Sequence, residues 1–144
     1  MTFRPTRMEV NLSNIKANFS AIRAFIGPKP QIFAVIKADA YGHGAVRVAR
    51  ALLDAGCGRF AVATPDEAIE LRDAGINEPV LVLGSSPYDV AGEYVRRDIT
   101  AACTDVLFAR ALSAAAVSQG KNAIIHVKVD TGMGRIGFLP EDIP

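Results

Sequence analysis

Two lysines stand directly after apolar runs rich in β-branched residues. Lys37 follows Phe33-Ala34-Val35-Ile36, and Lys128 follows Ala123-Ile124-Ile125-His126-Val127. A lysine that emerges from a buried strand into the mouth of a sheet is partly desolvated, which favours the neutral amine needed for Schiff-base chemistry with an aldehyde. The bland alternative is a side chain that snorkels to solvent from a strand end, and position alone favours it. The loop after Lys37, Ala38-Asp39-Ala40-Tyr41-Gly42-His43-Gly44, leads into a helix starting near Ala45. Such a loop can approach an anion closely, with Tyr41 offering its hydroxyl to a phosphate, although glycines serve plain turns as readily. No GxxxxGK[ST] phosphate loop occurs.

The loop after Lys128 holds Asp130, Thr131, Gly132, Met133, Gly134, Arg135 and Gly137. Its glycines point to a backbone under steric demand that could aim Arg135 at a flat anion, a carboxylate being the natural target. An ordinary turn with a surface arginine is the simpler reading. Lys128, at the end of what reads as a buried strand, needs a partner if it is buried. His43 and His126 are the two histidines of the chain and are far apart in sequence. They make a poor metal site, so His43 reads as a loop hydrogen-bonder and no metal is assigned.

These residues need a scaffold, and the chain supplies one by alternation. Apolar runs at Met8–Leu12, Gln31–Ile36, Phe60–Ala63, Val80–Leu83, Ile99–Ala102 and Ala123–Val127 read as strands, the last five covered on both faces. Helices are expected after Ser13 as N-cap, with Ile15, Phe19, Ile22 and Ile26 on one stripe closed by Gly27, and at 45–55, 65–74, 87–97 and 105–118. Thr64, Pro65 and Glu67 form a capping box, Ser86 with Pro87 repeats the proline start, and Gly56, Gly75 and Gly120 stand where helices should end. Strand–helix alternation of this kind predicts right-handed βαβ units and a parallel sheet, either open and doubly wound or part of a barrel. Both place chemistry at the carboxyl ends of strands, where Lys37 and Lys128 lie.

Composition narrows the function classes. The chain has 144 residues, half of them hydrophobic, and 16 basic against 15 acidic side chains give a net charge of +1. That balance leaves no electrostatic footprint for nucleic acid or an anionic membrane surface. No apolar run approaches 18 residues, and Met1 to Arg7 lacks the apolar stretch of a signal peptide. Cys57 and Cys103 read as reduced, packed thiols of a cytoplasmic protein. A complete (β/α)8 barrel takes about 250 residues. The chain is too short to be one.

The stretches AVIKADAYGHG at 34–44 and KVDTGMGRIGF at 128–138, together with the opening EVNLSNIKANF, resemble the N-terminal signatures of the alanine racemases. These are pyridoxal-phosphate enzymes of the fold III group that interconvert L- and D-alanine and supply D-alanine for peptidoglycan. The resemblance covers essentially the whole chain. It implies the N-terminal portion of a (β/α)8 TIM barrel, about five parallel strands with intervening helices, the barrel incomplete, with strand 8–12 belonging to a C-terminal β domain. It also implies that Lys37 holds pyridoxal 5'-phosphate covalently and serves as the base on the D-alanine side. Tyr41 would bond the cofactor phosphate, Arg135 would contact the substrate carboxylate, and Lys128 would support that arginine. Lys128 matches a lysine carbamylated in many members, which an intact-mass measurement checks.

The family's second base, a tyrosine from the other subunit of a homodimer, has no counterpart here, so a fragment inactive alone and prone to self-association is expected. The alternative reading is a non-catalytic pyridoxal-phosphate carrier or regulatory protein on a racemase-like barrel. A half-barrel that binds nothing is the blandest.

Overall fold

A computed structural model describes residues 6–143. Five parallel strands, β1 (Ala34–Val35), β2 (Phe60–Val62), β3 (Val80–Val82), β4 (Thr100–Cys103) and β5 (Ile125–Val127), form one sheet in the order β1-β2-β3-β4-β5. Helices Leu12–Ile26, Ala45–Asp54, Pro65–Asp73, Ala91–Arg96 and Val106–Gln119 alternate with them.

The order never reverses, whereas a doubly wound sheet must reverse at its switch point. The sheet is also strongly curled. Laid flat at 4.8 Å per strand, β1 and β5 would stand about 19 Å apart. Instead the rings of Phe33 and His126, beside and within these two edge strands, meet edge-to-face with centroids 6.0 Å apart. In an eight-stranded barrel the first and fifth strands oppose each other across the interior. The fold is therefore an unclosed portion of a (β/α)8 barrel.

Packing follows the two-residue period of the strands. Phe60, Val62, Val80, Val82 and Ala101 join Val48, Leu52, Leu71, Tyr94, Phe108 and Leu112 in one core between sheet and helices. The alternate residues Ala61, Leu81 and Ala102 thus face the concave side. Cys57 and Cys103 are free and buried, and burial pushes the Cys103 thiol up, as suits an inert packed thiol.

Several expectations need correction. Met8–Leu12 forms no strand among the described residues: Leu12 already begins a helix. The helix is capped by Asn11 rather than Ser13, because the Asn11 side chain accepts from the Asn14 N–H. Ser86 does not cap either; its hydroxyl bonds the buried Tyr94 hydroxyl at 2.6 Å. Pro87 precedes a 3-10 turn, Tyr88–Val90, so the helix expected at 87–97 shortens to Ala91–Arg96. β5 is not covered on both faces, since all three of its residues are exposed along an edge without a neighbouring strand. The Thr64–Glu67 capping box is formed as expected. Of the N-terminal stretch read for a signal peptide, Met1 to Pro5 lies outside the described residues, as does Pro144. No helix among the described residues is long and apolar enough to cross a membrane.

Candidate functional site

Lys37 lies two residues beyond the end of β1, after the buried Ile36, and is half-buried. It has no ion-pair partner among the described residues. The backbone beyond this lysine is unusual. Ala38, Asp39, Ala40 and Tyr41 all have φ between 51° and 55°, a single turn of left-handed helix built without glycine. At 1–2 kcal/mol per residue such a turn costs roughly 4–8 kcal/mol, so it persists only where its surroundings over-determine it.

Those surroundings can be named. The Ala40 N–H donates to Ile36 O at 2.9 Å, and the Gly44 N–H donates to Asp39 O at 2.9 Å. The His43 N–H and His43 Nδ1 both meet Ala40 O, at 3.1 and 2.9 Å. His43 is thus the loop hydrogen-bonder its isolation suggested. Asp39 Oδ1 accepts from the Ala45 N–H at 2.6 Å and caps the helix Ala45–Asp54. That bond takes up one N–H of the helix end to which the glycine loop leads, and Gly42 and Gly44, with φ of 85° and 90°, make the turn into it. Tyr41 ends the turn with its side chain 62% exposed, free to offer its hydroxyl.

One contributor was read from the sequence only as a helix cap. Glu67 Oε2 accepts from the Ala63 and Thr64 N–H groups at 2.6 and 3.1 Å, and Glu67 Oε1 accepts from the Ala38 N–H at 2.6 Å. Its signal in the sequence was the capping box; the bond to a residue 29 positions earlier had none.

At the far edge, Lys128 is half-buried and its Nζ donates to Val129 O at 2.8 Å. That carbonyl answers the partner requirement which burial had suggested. The loop beyond is closed at its base: the Phe138 N–H donates to Lys128 O at 2.9 Å, the Asp130 N–H donates to Phe138 O at 2.8 Å, and Val129 and Phe138 form a parallel bridge. Asp130 Oδ1 accepts from the Gly132 and Gly134 N–H groups, both at 3.0 Å. Hydrogen bonds from Gly134 and then Gly132 hold the Asp130 carboxyl below its ordinary range. Arg135 lies exposed on this loop. The structure thus sets Lys37 and Lys128 at the carboxyl ends of opposed strands, with Tyr41 and Arg135 on the loops beyond them. No group of three or more His, Cys, Asp or Glu among the described residues is placed to hold a metal ion.

Comparison with known proteins shows the family. The sequence profile of the family described as alanine racemase, N-terminal domain, matches residues 10–144. Alanine racemase 2 of Caldanaerobacter subterraneus subsp. tengcongensis is 49% identical over 140 residues, covering 97% of this chain and 36% of that protein. The solved alanine racemase of Clostridium difficile 630 superposes with a TM-score of 0.91 at 41% identity, over 97% of this chain and 39% of that one. A histidine racemase from Leuconostoc mesenteroides subsp. sake superposes at 0.83 with 34% identity, over 91% and 35% of the two chains. The chain therefore spans little more than a third of the length of the relatives it matches. With five consecutive strands of one curled sheet and a profile match over nearly its whole length, it belongs to the family of alanine racemase N-terminal domains.

Proposed function

We propose that this chain supplies the first part of the catalytic barrel of a pyridoxal-phosphate-dependent alanine racemase. The observation that carries the reading is Lys37, a half-buried amine without an ionic partner among the described residues, at the carboxyl end of β1 and followed by a strained turn that carries the exposed Tyr41. An amine for an aldehyde and a hydroxyl for a phosphate are donors that fit this cofactor. When bound, pyridoxal phosphate supplies the electron sink that makes removal of an amino-acid α-proton feasible.

The chain's own residues then divide the work. Lys37 Nζ would hold the cofactor through its aldehyde, and the same amine would take or return the α-proton on the D-alanine side. Tyr41 donates to the cofactor phosphate. Arg135 pairs with the substrate carboxylate, a flat anion that a guanidinium meets with two parallel hydrogen bonds. Lys128 supports the arginine loop, because its main-chain oxygen accepts the Phe138 N–H that closes the base of that loop. Racemisation needs a base on each face of the α-carbon, and Lys37 is one of them. In this reading the second comes from a partner subunit of a cytoplasmic homodimer, and Met8–Leu12 takes up strand structure only beside a further β domain.

Alanine is proposed as substrate from the relatives' names. The histidine racemase shares this portion of the fold, so the fold alone does not set the side-chain preference. The test is incubation with pyridoxal phosphate, borohydride reduction and peptide mapping. A single adduct at Lys37, lost in K37A, supports the reading, and labelling scattered over all lysines refutes it. Addition of the remaining two-thirds of the Caldanaerobacter relative should then restore alanine racemisation. A complex that retains the cofactor without turnover would support a non-catalytic carrier instead.

A further inference from the structure

We infer that Glu67 is a positioning residue for Lys37. The inference rests on the role proposed for Lys37 above. Glu67 lies in the helix Pro65–Asp73, which follows β2, and its carboxylate joins two neighbouring strand ends. Oε2 gathers the Ala63 and Thr64 N–H groups at the carboxyl end of β2, and Oε1 takes the N–H of Ala38, the residue after Lys37. The β1–β2 ladder stops at the Ile36 N–H to Ala61 O bond of 2.9 Å. Past that point the Glu67 carboxylate continues the connection with one charge-assisted bond of 2.6 Å on each side.

The strain gives this bond its importance. Ala38 is the first of four consecutive residues in the left-handed region, so its amide is where the chain commits to the unfavourable turn. A carboxylate is acceptor-only and can satisfy both strand ends at once. Glutamine cannot: with its carbonyl oxygen toward Ala63 and Thr64, its NH2 opposes the Ala38 N–H, donor against donor. The capping bonds survive in E67Q while the link to Lys37 does not. Thr64 provides the converse control. T64A removes the Thr64 Oγ1 that accepts from the Glu67 N–H at 3.4 Å and leaves the carboxylate on Ala38.

The experiment compares the 144-residue chain with E67Q, E67D and T64A by two readouts. Amide hydrogen exchange over residues 38–43 reports the turn. Borohydride trapping of pyridoxal phosphate, as the ratio of Lys37 to the other lysines, reports the amine. We expect E67Q to speed exchange at Ala38 and Ala40 at least tenfold and to lower the Lys37 ratio by a similar factor. E67D, one methylene shorter and unable to span both strand ends, should do the same. T64A should leave both readouts within twofold, although it lowers thermal stability. Unchanged exchange in E67Q and E67D, or a loosened turn with an unchanged Lys37 ratio, overturns the positioning role and leaves the function of Lys37 standing. Absence of any Lys37 preference in the unaltered chain overturns both.

Discussion

A methyl group added at Gly137 tests how tightly the arginine loop is tied to Lys128. A Cβ there would lie 2.6 Å from Lys128 O, 3.0 Å from Lys128 Cγ and 3.1 Å from Lys128 C, on a backbone with φ of +114°. G137A therefore carries two costs. An L-residue at that φ brings roughly 1–3 kcal/mol of strain. The Lys128 peptide must also move, and the bond it accepts from the Phe138 N–H goes with it, at about 1 kcal/mol. The sum, about 2–4 kcal/mol, corresponds to roughly a 30- to 700-fold rise in the open population of the loop. It should fall on the loop alone, because no residue from 129 to 138 belongs to the core between sheet and helices. Gly132 has a similar φ of +124° with nothing within 4 Å of its Cβ position, so G132A isolates the strain from the collision. Amide exchange at Asp130 and Phe138 is the assay. G137A should lose at least 30-fold protection there and exceed G132A, with the melting temperature within about 2 °C of the unaltered chain. Equal exchange in the two variants would refute the collision, and a large drop in melting temperature would refute the separation of loop from core.

Three further outcomes can be stated. The Arg72 guanidinium donates to the carbonyl oxygens of Arg97, Ile76, Glu78 and Asp98 at 2.7–2.9 Å, so R72M should cost about 2–4 kcal/mol and lower the midpoint of a circular-dichroism melt by roughly 10 °C. The depressed Asp130 carboxyl contributes loop order that is fully present above the ordinary carboxylate range and is lost as pH falls through its lowered value. Protection of the Gly132 and Gly134 amides, taken relative to their intrinsic exchange rates, should therefore hold above the ordinary carboxylate range and fall as acidification passes below it, and D130N should abolish that dependence. Val35 on one edge and Ile125 and Val127 on the other are 43%, 40% and 54% exposed, so sedimentation velocity should show concentration-dependent association that I125K weakens; a clean monomer at high concentration would contradict it.

How much of the molecule was legible in the sequence depends on which forces are local. The parallel strands and their helices were legible because apolar runs and caps are written in adjacent residues, as in Phe60–Val62 followed by Thr64, Pro65 and Glu67. The choice between an open sheet and a barrel was not. It depends on curvature, which is visible only where Phe33 meets His126 across the interior. Met8–Leu12 reads as a strand from its apolar residues, but forming one requires a partner strand, and it has none among the described residues. Ser13 misled because Asn11, two residues earlier, caps equally well and reaches the Asn14 N–H. The left-handed turn had no local signal at all. Alanine disfavours that conformation, so the sequence shows the residues that must be forced and not the distant Glu67 that helps to force them.

The two edges of the sheet solve one problem by the same device. Each must hold a chemically useful side chain beyond the last strand hydrogen bond, where no ladder remains to position it. After β1, Asp39 turns its carboxylate onto the Ala45 N–H, tying the turn that carries Tyr41 to the next helix. After β5, Asp130 turns its carboxylate onto the Gly132 and Gly134 N–H groups, shaping the loop that carries Arg135. In both, a short acidic side chain replaces missing strand pairing with bonds to main-chain amides, which are stronger for being charge-assisted. The edges differ in what lies beside them. β1 has β2 as a neighbour, and Glu67 borrows that strand's end as an anchor. The loop after β5 has no such anchor among the described residues and closes on itself through Lys128 and Phe138. The Lys37 turn can therefore sustain four strained residues, whereas the Arg135 loop confines its left-handed positions to Gly132, Gly134 and Gly137.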